Sequence, residues 1–397
     1  MANPNRPSRK QSHALNVVGA SARAAACSAL RAGAAVAASD LFGDEDLRAI
    51  ARFVEPTGKY PHSLAGALRG MPAAPFIYTG GIENHPDLVD ALARIRPLWG
   101  NPGHVLCRAK DPFLVAGVLR AAGIIVPETR RSDGPPPRIS GWLEKPLGGS
   151  GGRGIARATR RGRPGRGRPF YYQRLVRGPS YSALFVAGPR GASFLGATRQ
   201  LVGAPWLHAP PFAWCGSIGP AALARDATTA LRAAGEALAA GLELRGLFGL
   251  DFILEDGKPR PVDLNPRYPA SAEVLEHALG FSAVAAHSEA FLHGLPPGAN
   301  GGAQPAADIL GKAVIFAPRR LVLAVELARP RCFDPWRFPA LADIPAPGRS
   351  IARGHPLLTV FARARTEEGC ARALEHAAGE ALRHFQAPPA ESYYRTR

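Results

Sequence analysis

The sequence predicts an α/β protein with an α+β lid: a parallel N-terminal sheet, followed by a two-part region of largely antiparallel strands. Three observations predict it. Residues 14 to 105 alternate short apolar runs with alanine-rich helical stretches, the pattern of βαβ units on a parallel sheet. Gly246 to Arg267 reads as two apolar strands joined at Asp256-Gly257, a hairpin signal. Between these regions, Gly141 to Ile155 and Pro169 to Gly178 read as strands interrupted by glycine-rich turns.

Taken in order, Leu15 to Val18 is a strand, Gly19 a turn, and Ser21 to Arg23 the start of a helix. The next short strand, 33 to 40, carries Asp40 at its carboxyl end, where ligands contact open parallel sheets. The three-glycine spacing of a dinucleotide fingerprint is absent. Pro75 to Thr79 is a further strand, running into Gly80-Gly81-Ile82-Glu83-Asn84. A helix over 86–96 follows, with Asn84 as its N-cap and Pro86 in its first turn. Glu83 and Asn84 thus have two roles open, as turn and cap or as acceptor-substrate contacts. Ser193 to Ala197 is an apolar strand followed by Thr198-Arg199-Gln200, and 221–242 an amphipathic helix. Pro296-Pro297-Gly298 and Gly301-Gly302 mark a boundary. Beyond it lie short strands within 312–317, 342–348 and 356–361, then a helix over 367–385.

Composition narrows the function classes. A length of 397 residues suffices for two or three domains with real cores, and 46% hydrophobic content argues against general disorder. The formal charge of +18 raises nucleic-acid binding as a class. Arginine, however, is spread through a chain dense in Ala, Gly and Pro. The densest run, Arg157 to Arg168, is a Gly/Pro-rich surface loop without interleaved aromatics, so nucleic acid is disfavoured as a partner. Cysteines 27, 107, 215, 332 and 370 form no Cys-x-x-Cys pair, which fits neither a disulfide scaffold nor a zinc site and points to a reducing cytoplasm. Residues 1–13 are polar and basic, a disordered leader rather than a signal peptide. No run approaches the roughly twenty apolar residues of a membrane span, so the chain reads as soluble.

Chemistry concentrates in three segments. Asp263 and Asn265 are two apart on a strand and share a face. Asp251 lies on the partner strand, about 4.8 Å away. Hard oxygen donors of this kind suit Mg²⁺, with Mn²⁺ as an alternate ion; an ordinary hairpin with solvated acids is the other reading. Upstream, a short strand ends in Lys145 and is followed by Gly148, Gly149, Ser150, Gly151, Gly152, Arg153 and Gly154. Glycines let backbone N–H groups turn inward around an anion, unless the stretch is only a linker. A lysine charge beside that anion at ~4 Å is worth roughly 4 kcal/mol before desolvation. The third segment is a strand that stops near a hinge of Gln173, Arg174, Leu175 and Val176, where a flat base can lie against apolar side chains, or else any buried strand.

In this order and spacing the three segments resemble the ATP-grasp superfamily, and within it the group of predicted ATP-dependent carboligases related to biotin carboxylase. Lys145 to Gly154 follows the lysine-then-Gly-Gly-Arg-Gly pattern of the biotin carboxylase lid without a gap. The family's two acidic metal ligands are twelve positions apart and its Asn fourteen beyond the first; Asp251, Asp263 and Asn265 keep both intervals, with Asp for the usual Glu. The resemblance implies ATP as cofactor, its adenine at Gln173 to Val176, its phosphates at Lys145 and the glycine loop, and the metal on the Asp–Asp–Asn trio. Arg267 matches the family's arginine that touches the transferred phosphoryl group or substrate carboxylate, so Arg267 and Lys145 are the implied catalytic residues.

The implied layout is a Rossmann-like domain over 14–107, a lid over 108–190, a metal-bearing core over 191–300 and a C-terminal extension over 301–397. Two departures matter. The family's further ATP-contacting lysine falls at Pro112, leaving Arg108 or Lys110 to serve. Arg267 is followed by Tyr268-Pro-Ala-Ser-Ala, without the glutamate that acts on bicarbonate in biotin carboxylase, and no Met-Lys-Met motif occurs, since the methionines are Met1 and Met71. The expected activity is an ADP-forming carboxylate–amine ligase acting on small molecules through an acyl phosphate, with a role in one-carbon-carrier cofactor biosynthesis as an extension. A carboxyphosphate-using carboxylase and a non-catalytic nucleotide- or nucleic-acid-binding protein are the alternatives. A homodimer is the default assembly.

Overall fold

The computed structural model describes residues 13–133, 140–159, 169–294, 308–322 and 334–386. The leader, most of the Arg157–Arg168 run and the Pro296–Gly302 boundary lie outside them.

The N-terminal sheet is parallel, as the alternating pattern requires, in the order β3-β2-β1-β4. Its elements are β1 (Ala14–Gly19), α1 (Arg23–Arg31), β2 (Ala35–Asp40), α2 (Glu45–Ile50), β3 (Arg52–Phe53), α3 (Leu64–Gly70) and β4 (Phe76–Tyr78). Ala25, Ala26 and Ala29 of α1 are buried against it, their small side chains letting the helix approach closely. Asn16 is fully buried within β1, and its Nδ2 donates to the carbonyls of Pro72 and Ala74 (3.1 and 3.0 Å).

Asp40, at the carboxyl end of β2, accepts the amides of Ala22, Phe42 and Gly43 at 2.8, 3.1 and 2.6 Å, tying the strand end to the turn that follows. One local expectation is corrected. Asn84 does not cap the next helix, α4 (Pro86–Ala93). A 3₁₀ turn over Ile82–Asn84 intervenes, His85 takes the cap position and no side chain caps it.

Helices α5 (Gly103–Ala109) and α6 (Pro112–Ala121) lead to a small antiparallel sheet, ordered β5-β8-β6-β7. It comprises β5 (Thr129–Arg131), β6 (Trp142–Pro146), β7 (Ala156–Arg157) and β8 (Phe170–Arg174). Asp111 is the α6 cap, accepting the amides of Phe113 and Leu114 (2.8 and 3.2 Å).

The remaining strands build an antiparallel sheet of eight. In chain order these are β9 (Ser180–Gly188), β10 (Gly191–Val202), β11 (Trp214–Gly219), β12 (Gly246–Glu255), β13 (Lys258–Asn265) and β14 (Ile309–Phe316). A two-stranded ribbon pairs β15 (Leu321–Val322) with β17 (Ser350–Ile351), while β16 (Leu341–Ala342) and β18 (Pro356–Ala364) complete the eight. The spatial order is β13-β12-β9-β10-β11-β14-β18-β16. Thus β9 already belongs to this sheet, and the strands after residue 308 continue it.

Period-2 alternation along β9 sends Ala183, Phe185 and Ala187 to one face and Leu184 and Val186 to the other. The first face packs on α7 (Arg225–Leu242) through Leu231, Leu238 and Leu242, all fully buried. Three such leucines are worth about 5–9 kcal/mol of gross burial energy. Glu243 ends α7 in the left-handed region, and Arg108 pairs with its carboxylate while donating to the Gly241 carbonyl (2.7 Å). The second face receives α8 (Ala272–Leu279) and α9 (Ala283–Leu292), which also pack on α1. Helix α10 (Glu367–Gln386) covers the distal strands with Cys370, Leu374, Ala378 and Leu382; Gly311 of β14 makes room, since a Cβ there would lie 2.8 Å from Cys370 Sγ.

α1 docks on α8 through buried charges. Arg23 pairs with Glu273, which also accepts Lys312 Nζ at 3.0 Å, and Arg31 Nη2 lies 2.5 Å from Glu276 Oε2. These contacts hold the N-terminal sheet beside the hairpin end that bears Arg267.

Candidate active site

The β12–β13 hairpin brings Asp251 and Asp263 directly opposite each other, with Asn265 opposite Gly249. All three share one face. Asn265 Nδ2 donates to Asp251 Oδ2 at 3.1 Å, and Gln200 Nε2 donates to Asp251 Oδ1 at 3.0 Å. Ser180 Oγ in turn donates to Gln200 Oε1 at 2.7 Å. Gln200 had no signal in the sequence. It stands two strands from β12, and its contact depends on β9 being inserted between β10 and β12.

Burial, and then the facing Asp263 carboxylate, push the Asp251 carboxyl up to about 6, against the lowering effect of Ser182, Arg267 and Asn265. Two opposed carboxylates with an amide beside them fit a divalent cation, which relieves this repulsion. A carboxyl raised above its unfolded value of about 3.9 stabilises the fold below that value and loses the contribution as pH rises through about 6. The metal requires the ionised form. Mg²⁺ affinity, titrated calorimetrically with a non-hydrolysable ATP analogue, is therefore expected to rise between about pH 5 and 7, and metal-free thermal stability to fall between about pH 4 and 6. Asp251→Asn should flatten both trends. Equal Mg²⁺ affinity across the former interval would rule out this coupling.

Lys145, at 8% exposure, faces the same site. Its Nζ donates to Gln173 Oε1 at 3.1 Å and to the Val262 carbonyl at 2.7 Å, next to Asp263. Burial lowers the lysine's pKa, with Lys110 adding to the effect and Asp263 and Asp251 opposing it. The following loop places Gly148, Gly151, Gly152 and Gly154 in the left-handed region, as an inward-turned backbone requires. Gly149 and Ser150 complete it; Ser150 accepts the Arg153 amide at 3.3 Å. At Gly152 a Cβ would lie 1.9 Å from the Phe212 carbonyl, and Trp214 N donates to the Gly151 carbonyl at 3.2 Å. The loop thus rests on the segment leading into β11.

The hinge divides. Gln173 turns inward to Lys145, whereas Arg174 donates outward to the Ser140 carbonyl (3.3 Å) and Leu175 N bonds the Gly141 carbonyl (2.8 Å). A cavity of about 600 Å³ is lined by Arg174, Leu175, Val176, Val126 and Pro127, and none of Asp251, Asp263 and Asn265 lines it.

Geometry separates the two substitutes for the lysine missing at Pro112. Arg108 is turned away to Glu243, while Lys110 Nζ donates to the Leu264 carbonyl (3.2 Å) and lies 3.5 Å from Asp263 Oδ1. Arg267 makes four hydrogen bonds: Nε and Nη2 to Glu83 Oε1 (both 3.1 Å), Nη2 to Asn265 Oδ1 (3.0 Å) and Nη1 to the Tyr268 carbonyl (3.2 Å). It therefore bridges Asn265 on the Asp–Asp–Asn face to the N-terminal sheet. Of the two roles open to Glu83 and Asn84, the cap is not made.

Residues 109–271 match the ATP-grasp domain family. An uncharacterized protein of Methanocaldococcus jannaschii is 23% identical over 196 residues, and the match spans 49% of this chain but only 43% of that relative's length. Among solved structures, biotin carboxylase from Campylobacter jejuni superposes with a TM-score of 0.69 at 13% identity, covering 94% of this chain and 95% of that one. L-amino acid ligase from Bacillus licheniformis gives 0.66 at 13% identity, covering 94% and 98%. Among the described residues no helix is long and apolar enough to cross a membrane. With its lysine-flanked glycine loop, its Asp–Asp–Asn hairpin and this likeness across nearly the whole chain, the protein has the ATP-grasp fold, and its residues 109–271 match the ATP-grasp domain family.

Proposed function

We propose that the chain is an ADP-forming ligase that joins a small-molecule carboxylate to an amine. The observation that carries this reading is the convergence of Lys145, through its bond to the Val262 carbonyl, on the face bearing Asp251, Asp263 and Asn265. Lys145, the amides of 148–154 and Lys110 hold the triphosphate, and the hinge cavity takes the base. Asp251, Asp263 and Asn265 hold Mg²⁺, which when bound supplies charge neutralisation on the transferring phosphoryl group.

An acceptor carboxylate oxygen bonds to the γ-phosphorus as the bond to ADP breaks, giving an acyl phosphate. The amine nitrogen then bonds to the acyl carbon, phosphate leaves, and the amine gives up a proton. Arg267 orients the acceptor side of the cleft, and the lid excludes water that would hydrolyse the intermediate. At the place of biotin carboxylase's bicarbonate-directed glutamate stands Ser271, which is buried and donates to Ser182 Oγ (3.4 Å); the lack of a carboxylate there favours ligation over carboxylation. Addition of a glutamate-like unit to a one-carbon-carrier cofactor is the finer role that fits this chemistry.

The test combines titration of the protein with ATP·Mg²⁺ and with single-stranded DNA, then mass spectrometry after incubation with ATP and acid–amine pools. Nucleotide binding, ADP release and a condensed product are expected, and hydroxylamine should trap the acyl phosphate as a hydroxamate. A protein that ignores adenine nucleotides, or binds DNA without ever releasing phosphate, is not this enzyme.

A further inference from the structure

The turn after β4 gathers buried polar atoms that no described residue satisfies. Glu83 is 1% exposed; Arg267 engages its Oε1 through two nitrogens, yet its Oε2 has no partner. Asn84 Oδ1, Thr79 Oγ1 and Tyr60 Oη are likewise buried and unpartnered. All four belong to one neighbourhood. Thr79, Glu83 and Asn84 lie on the turn itself, and a Cβ at Gly81 would stand 3.5 Å from Tyr60 Oη. Glu83 and Asp40 reinforce burial in raising the Tyr60 phenol, which keeps it a neutral hydroxyl.

Buried hydrogen-bonding groups left without partners are costly, so a cluster of them points to a ligand that completes them. The character of the atoms selects that ligand. A carboxylate oxygen and an amide carbonyl accept only, and the two hydroxyls can also accept. A ligand that donates several hydrogen bonds, and carries positive charge, matches the set.

Position adds the second argument. Arg267 Nη2 bonds both Glu83 Oε1 and Asn265 Oδ1, so the unpartnered oxygen sits one guanidinium away from the metal trio. Asn84 faces the glycine loop from the other side, since a Cβ at Gly148 would lie 3.8 Å from Asn84 Oδ1. The turn therefore lies against both the loop and the carboxylate hairpin.

We propose that Glu83, with Tyr60 and Asn84, forms the subsite for the amine substrate, and that this substrate is a primary amine presented as ammonium to Glu83 Oε2. Arg267 is then a positioning residue, fixing one oxygen of Glu83 so that the other faces the amine. This deepens the ligase reading and rests on it.

The test uses the full chain loaded with Mg²⁺ and a non-hydrolysable ATP analogue. Ligand-observed NMR is run with a mixture of amino acids, amino acid amides and simple diamines, beside their deaminated counterparts. Wild type is expected to bind at least one amine and not its deaminated partner. Glu83→Gln is expected to weaken that binding at least tenfold while keeping nucleotide affinity, which also shows that the variant is folded. Tyr60→Phe should weaken it severalfold. If nucleotide binds but no amine does, the cluster is merely hydrated and the subsite is wrong; if Glu83→Gln binds amine as wild type does, the residue assignment is wrong. Failure of the nucleotide itself to bind instead overturns the ligase reading beneath.

Discussion

Replacing Lys145 by methionine is expected to lower ATP turnover about 10²–10³-fold, the loss that follows removal of one preorganised electrostatic donor, or about 2.7–4 kcal/mol. Methionine keeps the aliphatic length of the side chain, so β6 should still pack. What disappears is a buried cation that bonds Gln173 and the Val262 carbonyl within the reach of both aspartates. Because the lysine is already desolvated, its charge is poorly screened and acts strongly on a phosphate nearby. Phosphate release, measured alongside circular dichroism, checks the prediction. Wild-type turnover in the folded variant would remove Lys145 from the site.

Glu276→Ala is expected to destabilise the fold by about 3–5 kcal/mol, the range for breaking a buried ion pair from one side. Glu276 and Arg31 are both 0% exposed in their side chains. Glu276 also accepts Tyr268 Oη at 2.9 Å and the Ala283 amide at 2.6 Å, and Ser28 bonds it as well. Alanine leaves the Arg31 guanidinium buried beside the Pro335 carbonyl (2.8 Å), His277 (3.4 Å) and the Trp336 ring (6.0 Å to its centroid), none of which carries a compensating negative charge. The first transition in urea should move to lower denaturant. The double change Arg31→Met with Glu276→Leu should recover most of the loss, because it removes the stranded charge as well. A single variant as stable as wild type would mean that the α1–α8 docking does not depend on this pair.

The parts of the site that could be read from the sequence are those set by local geometry. Asp263 and Asn265 share a face because strand periodicity is two, and a hairpin turn brings Asp251 opposite Asp263. Four glycines of the loop after Lys145 adopt positive φ, the conformation that glycine alone adopts freely. The amphipathic pattern over 221–242 likewise marked α7, although the helix starts at Arg225. Asn84 and Asp40 could not be assigned from the sequence for a common reason. Each has a side chain suited to two jobs, and the choice depended on which backbone amides lay within reach. At Asp40 three amides were near; at Asn84 none was used.

By itself, then, the sequence determined the strand and helix periodicities, the left-handed glycine loop and the one-sided Asp–Asp–Asn face, since each follows from steric rules acting over a few residues. Only the tertiary structure decided that Gln200 supports Asp251 across β9, that Lys110 rather than Arg108 faces Asp263, and that Arg267 clamps Glu83. Those contacts join residues 51, 153 and 184 positions apart, where applicable in each pair. They arise from the order in which strands were laid into one sheet and from buried charges seeking partners, which no local pattern encodes.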